Sequence, residues 1–378
     1  MLFIPFAKKI RREMPTGITL AGYMKEKYKS NNVKRVYLFQ LVGLSVLSTG
    51  VQLLAGSKIL STVTGLPFWS LTVILAAIGY SYSQFSGIKA SILTDAIQAV
   101  FMLLACAGFV FFGLKGCGVG NLASGLAGIS GEYTSLFSEK SIELFFGFGL
   151  PTTIGLLSGP FGDQSFWQRA FTAKEKHIGR SFFMGALLFG IVPLSMGILG
   201  FIGAGSGYQV QEIGVLNFEI ITWLFPAWTA IPFLFMIISG LLSTVDSNLC
   251  AVSSLTTDIV KDSNLKLIKA SMVLLLIAGI GIANIPGLTV THLFLFYGTL
   301  RASTLLPTVL TLKGVKLTSR GITRGVVTAL AIGLPIFACG TVWNSGLIKS
   351  IGSLTTVLLS GFVALMSRRE VNCEECVR

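Results

Sequence analysis

Apolar residues along this chain come in long unbroken runs. They neither alternate as in a half-buried strand nor form the single stripe of a soluble helix. Ten runs reach membrane-crossing length: 36–60, 67–84, 91–114, 143–164, 181–205, 224–257, 267–285, 288–311, 323–343 and 347–367. A hydrocarbon core about 30 Å thick needs about 20 apolar residues in a helix, so each run predicts one crossing. Short alternating segments are missing, which argues against a β-barrel. Two runs stand apart. The fourth carries Gly147, Gly149, Pro151, Gly155, Gly159, Pro160 and Gly162 and predicts an interrupted helix. Its freed backbone groups can be satisfied only where protein lines a cavity. The sixth is long and crowds Ser243, Thr244, Asp246, Ser247, Asn248, Ser253, Ser254, Thr256 and Thr257 into its second half.

Composition turns the pattern into a class. Of 378 residues, 52% are hydrophobic and only 12% are charged, against about 25% charged in a typical soluble domain. The reading is an all-α, multi-pass integral membrane protein, expected in the plasma membrane and surrounded by lipid. The net charge of +13, from 29 Lys and Arg against 16 Asp and Glu, invites a nucleic-acid partner. Its distribution argues otherwise. The cations fall in short clusters between runs: Lys8 to Arg35; Arg169, Lys174, Lys176 and Arg180; Lys261, Lys266 and Lys269; Lys313, Lys316, Arg320 and Arg324; then Arg368 and Arg369. With ten crossings every cluster falls on one side, the cytoplasmic one, together with the C-terminal tail. The Gly-rich segment 115–140 then lies outside.

The reactive residues do not assemble into an enzyme. The two His, His177 and His292, form no triad, and neither HExxH nor GxxxxGK[ST] occurs. Nucleotide binding, ATP-driven transport and a resident cofactor are not expected. Of six Cys, Cys106, Cys250 and Cys339 lie in apolar runs, and Cys373 with Cys376 form a single CxxC without a second pair.

The polar groups inside the runs carry the functional reading. Asp95 opens the third run, with Gln98 on the same helical face. A carboxylate in hydrocarbon needs a partner or water, so Asp95 belongs either to a cation pathway or to an interfacial or capping position. Ser243 and Ser247 share a face, Thr244 is adjacent, and hydroxyl oxygens suit a hard cation such as Na+. Asp246 adds a charge that a cation or a proton must neutralise. Asp163, Gln164, Trp167 and Gln168 follow the fourth run, and Gln52 lies in the middle of the first; these are the candidate substrate contacts. Trp167 is alternatively a membrane-interface residue. Arg301, within the eighth run, needs water, a carboxylate or carbonyls, which favours a structural or gating role.

Three stretches, ILTDAIQAVFM at 92–102, GPFGDQSFWQRAFTAK at 159–174 and GLLSTVDSNLCAVSSLTTDI at 240–259, resemble the sodium:solute symporter family. The loop AKKIRRE…TLAGYMKEKY joins them, and the likeness covers nearly the whole chain. DQSFWQ is similar to the urea and polyamine branch. The resemblance implies an inverted-repeat core of ten helices in two sets of five, with substrate and Na+ at broken helices near the middle. It implies a sodium site at Ser243 and Thr244 with the Gly240 carbonyl, and a second cation site at Asp95, Asp246 and Ser247. Asp246 departs from the Ser-Ser pattern there and points to altered binding or a proton. The implied function is sodium-coupled symport of a small polar organic solute. Proton-coupled urea or polyamine transport, and a transport-incompetent fragment, stay open.

The resemblance also sets expected boundaries. Residues 1–35 are a truncated helix end and basic loop. Residues 36–114 hold three helices of the first repeat, 115–142 the outer loop and 143–311 the five-helix second repeat. Residues 312–367 form two peripheral helices and 368–378 the tail. On this reading the first two core helices are missing.

Overall fold

A computed structural model describes residues 1–260 and 264–367; for 85–90 it describes the backbone and the Ile88 side chain. Cys373, Cys376, Arg368, Arg369 and Lys261 lie outside the described residues. Two short amphipathic helices, α1 (Ile4–Glu13) and α2 (Leu20–Tyr28), precede α3 (Asn31–Thr64). Ser30 caps α3 by accepting from the Val33 N–H, and Gly65 at φ +69° ends it where a side chain would be strained.

The second and third apolar runs join in one 58-residue helix, α4 (Phe68–Gly125). The expected turn near 85–90 is helical, and helix replaces the start of the expected outer loop. A straight helix of that length would measure about 87 Å, yet α4 is not straight. Leu75 and Leu241 both meet Gly56, and Gly79 lies against Leu242 and Val245. This first limb therefore runs in the same sense as α10 (Ala230–Ile259). The second limb runs the opposite way: Phe109 packs on Phe233, Met102 on Gly240, and Asp95 bonds Ser243. The helix turns back between Tyr82 and Ser91, so both limbs cover α10.

α5 (Glu139–Leu144) passes through a π-helical turn, Phe145–Gly149, into α6 (Leu150–Gly162). Pro151 follows that turn, and Pro335 follows a second one at Ala329–Gly333. Proline cannot donate to the ladder and crowds the preceding turn; the wider turn accommodates both effects. The expected interruption of the fourth run thus appears as a π turn and as a break at Asp163, where the backbone is extended. α7 (Gln164–Thr172) leaves from that break. Then come α8 (Glu175–Gly205), α9 (Leu216–Leu224), α10, α11 (Leu265–Ala283), α12 (Val290–Ala302), α13 (Leu305–Leu312), α14 (Ser319–Thr328), α15 (Leu334–Val342) and α16 (Gly346–Met366).

Among the described residues, nine helical stretches are long and apolar enough to cross a membrane. Ile213–Leu224 is a shorter apolar helical stretch. Close crossings use glycine: a Cβ on Gly155 would sit 2.9 Å from the Gly298 Cα, which lets α6 and α12 touch backbone to backbone. The basic segments meet at one end of the bundle. Arg12 bonds Glu175, Lys34 bonds the Asp258 carbonyl, and Tyr28 reaches Thr311 at 2.8 Å. At the other end Lys58 pairs with Glu212.

Candidate functional site

Two polar clusters lie between the helices, and α7 touches both. The break at Asp163 is what directs α7 toward α10. Asp163 caps α7: one carboxylate oxygen accepts from the Ser165 N–H at 2.9 Å and from the Ser165 hydroxyl at 2.7 Å. The other oxygen accepts from Arg301 at 2.9 Å. Side-chain exposures of 12% for Arg301 and 9% for Asp163 make this a desolvated pair, strongly favourable only while both partners remain. The guanidinium also lies 4.4 Å over the Tyr297 ring. Arg301 thus finds its carboxylate on the helix junction.

Neighbouring residues are similarly engaged. The Gln164 carbonyl accepts from the Leu20 N–H at 3.1 Å, and its amide donates to the Ile18 carbonyl at 2.9 Å and to Ser254. Trp167 is fully buried against Phe3, with its indole N–H on the Phe161 carbonyl at 2.9 Å, so the membrane-interface alternative falls. Gln168 donates to the Cys250 carbonyl at 3.2 Å. Gln40 of α3 donates to the Gly162 carbonyl; Gln52 lies twelve residues farther along α3, about 18 Å away. Gln52 is half-buried and not part of this cluster. A cavity of about 370 Å³ opens beside Lys58, Glu212 and Asn284, and none of the five candidate substrate contacts lines it.

The second cluster joins α4, α7 and α10. Asp95 lies inside α4, whose N-cap is Pro67, so the capping alternative falls. Its carboxylate accepts from the Ser243 hydroxyl and from Arg169 at 2.8 Å; Arg169 also donates to the Ser247 hydroxyl at 2.9 Å. Thr244 donates to the Gly240 carbonyl at 3.2 Å. Asn248 donates to Ser48 and Thr49 and fixes the next turn of α10 against α3. Asp246 is 1% exposed, and neither carboxylate oxygen has a hydrogen-bond partner among the described residues. Gln98 likewise buries a carbonyl oxygen without a partner there.

The Gly240 carbonyl, Ser243 and Thr244 offer three hard oxygens on a half-buried turn, a donor set that fits part of a hard-cation shell. Asp95, Ser243 and Ser247 converge as expected, but on Arg169. Sequence reasoning had placed Arg169 in a cytoplasmic cluster. No local periodicity relates it to Asp95, 74 residues earlier. No group of three or more His, Cys, Asp or Glu suited to a metal ion occurs among the described residues.

The helices, long and apolar enough to cross a membrane, and the broken junction at Asp163 are those of a multi-pass membrane protein. The sodium:solute symporter family model matches residues 1–329, and the chain belongs to that family of transporters, not enzymes. It is 22% identical over 390 residues to the urea-proton symporter DUR3 of Oryza sativa subsp. japonica, covering 89% of this chain and 53% of that protein. It is 25% identical over 374 residues to the urea active transporter of Saccharomyces cerevisiae, covering 87% and 50%. The chain spans about half the length of these curated relatives. A solved structure of a Na+-coupled sialic acid symporter, substrate-bound and outward-open, superposes with a TM-score of 0.68 at 15% identity, covering 96% of this chain and 83% of that one. That likeness supports the symporter fold.

Proposed function

We propose that the protein is a secondary active transporter that couples Na+ to the movement of a small polar organic solute. The observation that carries this reading is the half-buried turn of α10 that sets the Gly240 carbonyl, Ser243 and Thr244 together, beside a buried Asp246 whose carboxylate has no hydrogen-bond partner among the described residues. Such groups are costly in a membrane and mark ion pathways. The coupling ion is assigned to Ser243, Thr244 and the Gly240 carbonyl. Asp163, Gln164 and Trp167 act chiefly as the joint between α6 and α7; of the five candidate solute contacts Gln168, beside the α10 cluster, is the one retained.

Urea is the solute to try first, because both named relatives are urea transporters. The proton alternative has its own support in Asp246 and in the name of the rice relative. Uptake of labelled urea into sealed proteoliposomes separates the readings. The proposal expects accumulation under an inward Na+ gradient at equal pH. Accumulation only under an inward proton gradient, or none under either, would overturn it.

A further inference from the structure

The resemblance expects a second cation between Asp95, Asp246 and Ser247, yet a side chain of the protein already bonds two of the three, Asp95 and Ser247, while Asp246 has no hydrogen-bond partner among the described residues. We infer that the Arg169 guanidinium is a built-in cation at this position, so that the chain binds at most one sodium ion and none at Asp95. The inference rests on the cation-coupled reading above and fixes its stoichiometry.

The geometry is explicit. The same terminal nitrogen, Nη2, donates to Asp95 at 2.8 Å and to the Ser247 hydroxyl at 2.9 Å, which uses both of its hydrogens. The other Asp95 oxygen accepts from Ser243. Hydroxyls and carboxylate that could have surrounded a metal ion are thus bonded to, or around, a guanidinium. The free space beside it, bordered by Ser165, Gln168 and Cys250, is about 10 Å³. That is roughly the room for one water, too little for a second cation with its waters.

Charge agrees with geometry. Arg169 cancels Asp95, and a sodium ion placed against Asp95 would face a like charge at close range; Asp246 is the one carboxylate of the three expected ligands that Arg169 does not bond. A guanidinium carries its positive charge without a bound ion, so while Arg169 bonds Asp95 the positive charge at this position comes from the protein itself. Its helix is anchored at two points, by the Asp163 cap at its start and by Gln168 on the Cys250 carbonyl.

The test counts bound 22Na+ per purified chain at saturation and records the thermal shift caused by Na+. The wild type should bind no more than one equivalent. Arg169→Met should gain one equivalent and show a larger Na+-dependent rise in Tm. Adding Asp95→Asn should remove that gain, and Arg169→Lys should not produce it. Two equivalents on the wild type, or a folded Arg169→Met without the extra ion, would overturn the inference. If Arg169→Met does not fold, the wild-type count decides. A wild type that binds no sodium, with Arg169→Met binding one, would sink the cation-coupled reading and leave this inference standing.

Discussion

Asp163 shows how one side chain serves two purposes. It caps α7 and neutralises Arg301. Asparagine caps a helix about as well as aspartate, so Asp163→Asn isolates the ion pair. Removing one partner of a buried pair costs about 3–5 kcal/mol. We expect a lower Tm for Asp163→Asn and for Arg301→Met, with the double variant less destabilised than the sum of the two. Strict additivity would show that the pair contributes nothing. Ser243→Ala and Thr244→Ala each delete a hard oxygen from the assigned sodium turn. Each should raise the Na+ concentration for half-maximal uptake several-fold while the maximal rate stays measurable; unchanged sodium dependence would remove them from the site.

At the scale of elements, hydropathy located the crossings because membrane helices are defined by what surrounds them. The break between the second and third runs was legible, but that it stays helical was not. It is made by a helix folding back on α10, and the contacts that show this are long-range. The same limit hid Arg169: its charge reads as a loop residue until α7 is aimed by the break at Asp163. Ser243, Thr244 and Asp246 could be singled out because a helix brings near neighbours in sequence together, whereas Gln52 was grouped with Asp163 by polarity alone. Close crossings were hinted at by glycine content but not assigned to pairs. Gly155 meets the Gly298 backbone, while Gly185 has open space. Gly155→Leu should therefore lower stability by about 1–3 kcal/mol through overpacking. Gly185→Ala should be neutral or stabilising by up to about 1 kcal/mol. Thermal unfolding in detergent reads both, and equal effects would refute the assigned crossing.

For the whole molecule, the contiguity of the basic segments gives orientation a physical basis. Arg12, Lys34 and the α2–α13 contact lie at one end, Lys58 and Glu212 at the other. The positive-inside rule predicts that the first end faces the cytoplasm. In a cysteine-free background, Lys25→Cys should react with a membrane-impermeant reagent only after permeabilisation, and Ser135→Cys in intact cells. The reverse pattern would invert the topology.

The bundle is proposed to hold a sodium ion on α10. Saturable 22Na+ binding to the purified protein tests it most directly. The account expects a single class of site, weakened several-fold by Ser243→Ala and by Thr244→Ala. Binding that does not saturate, or that both substitutions leave untouched, would contradict it.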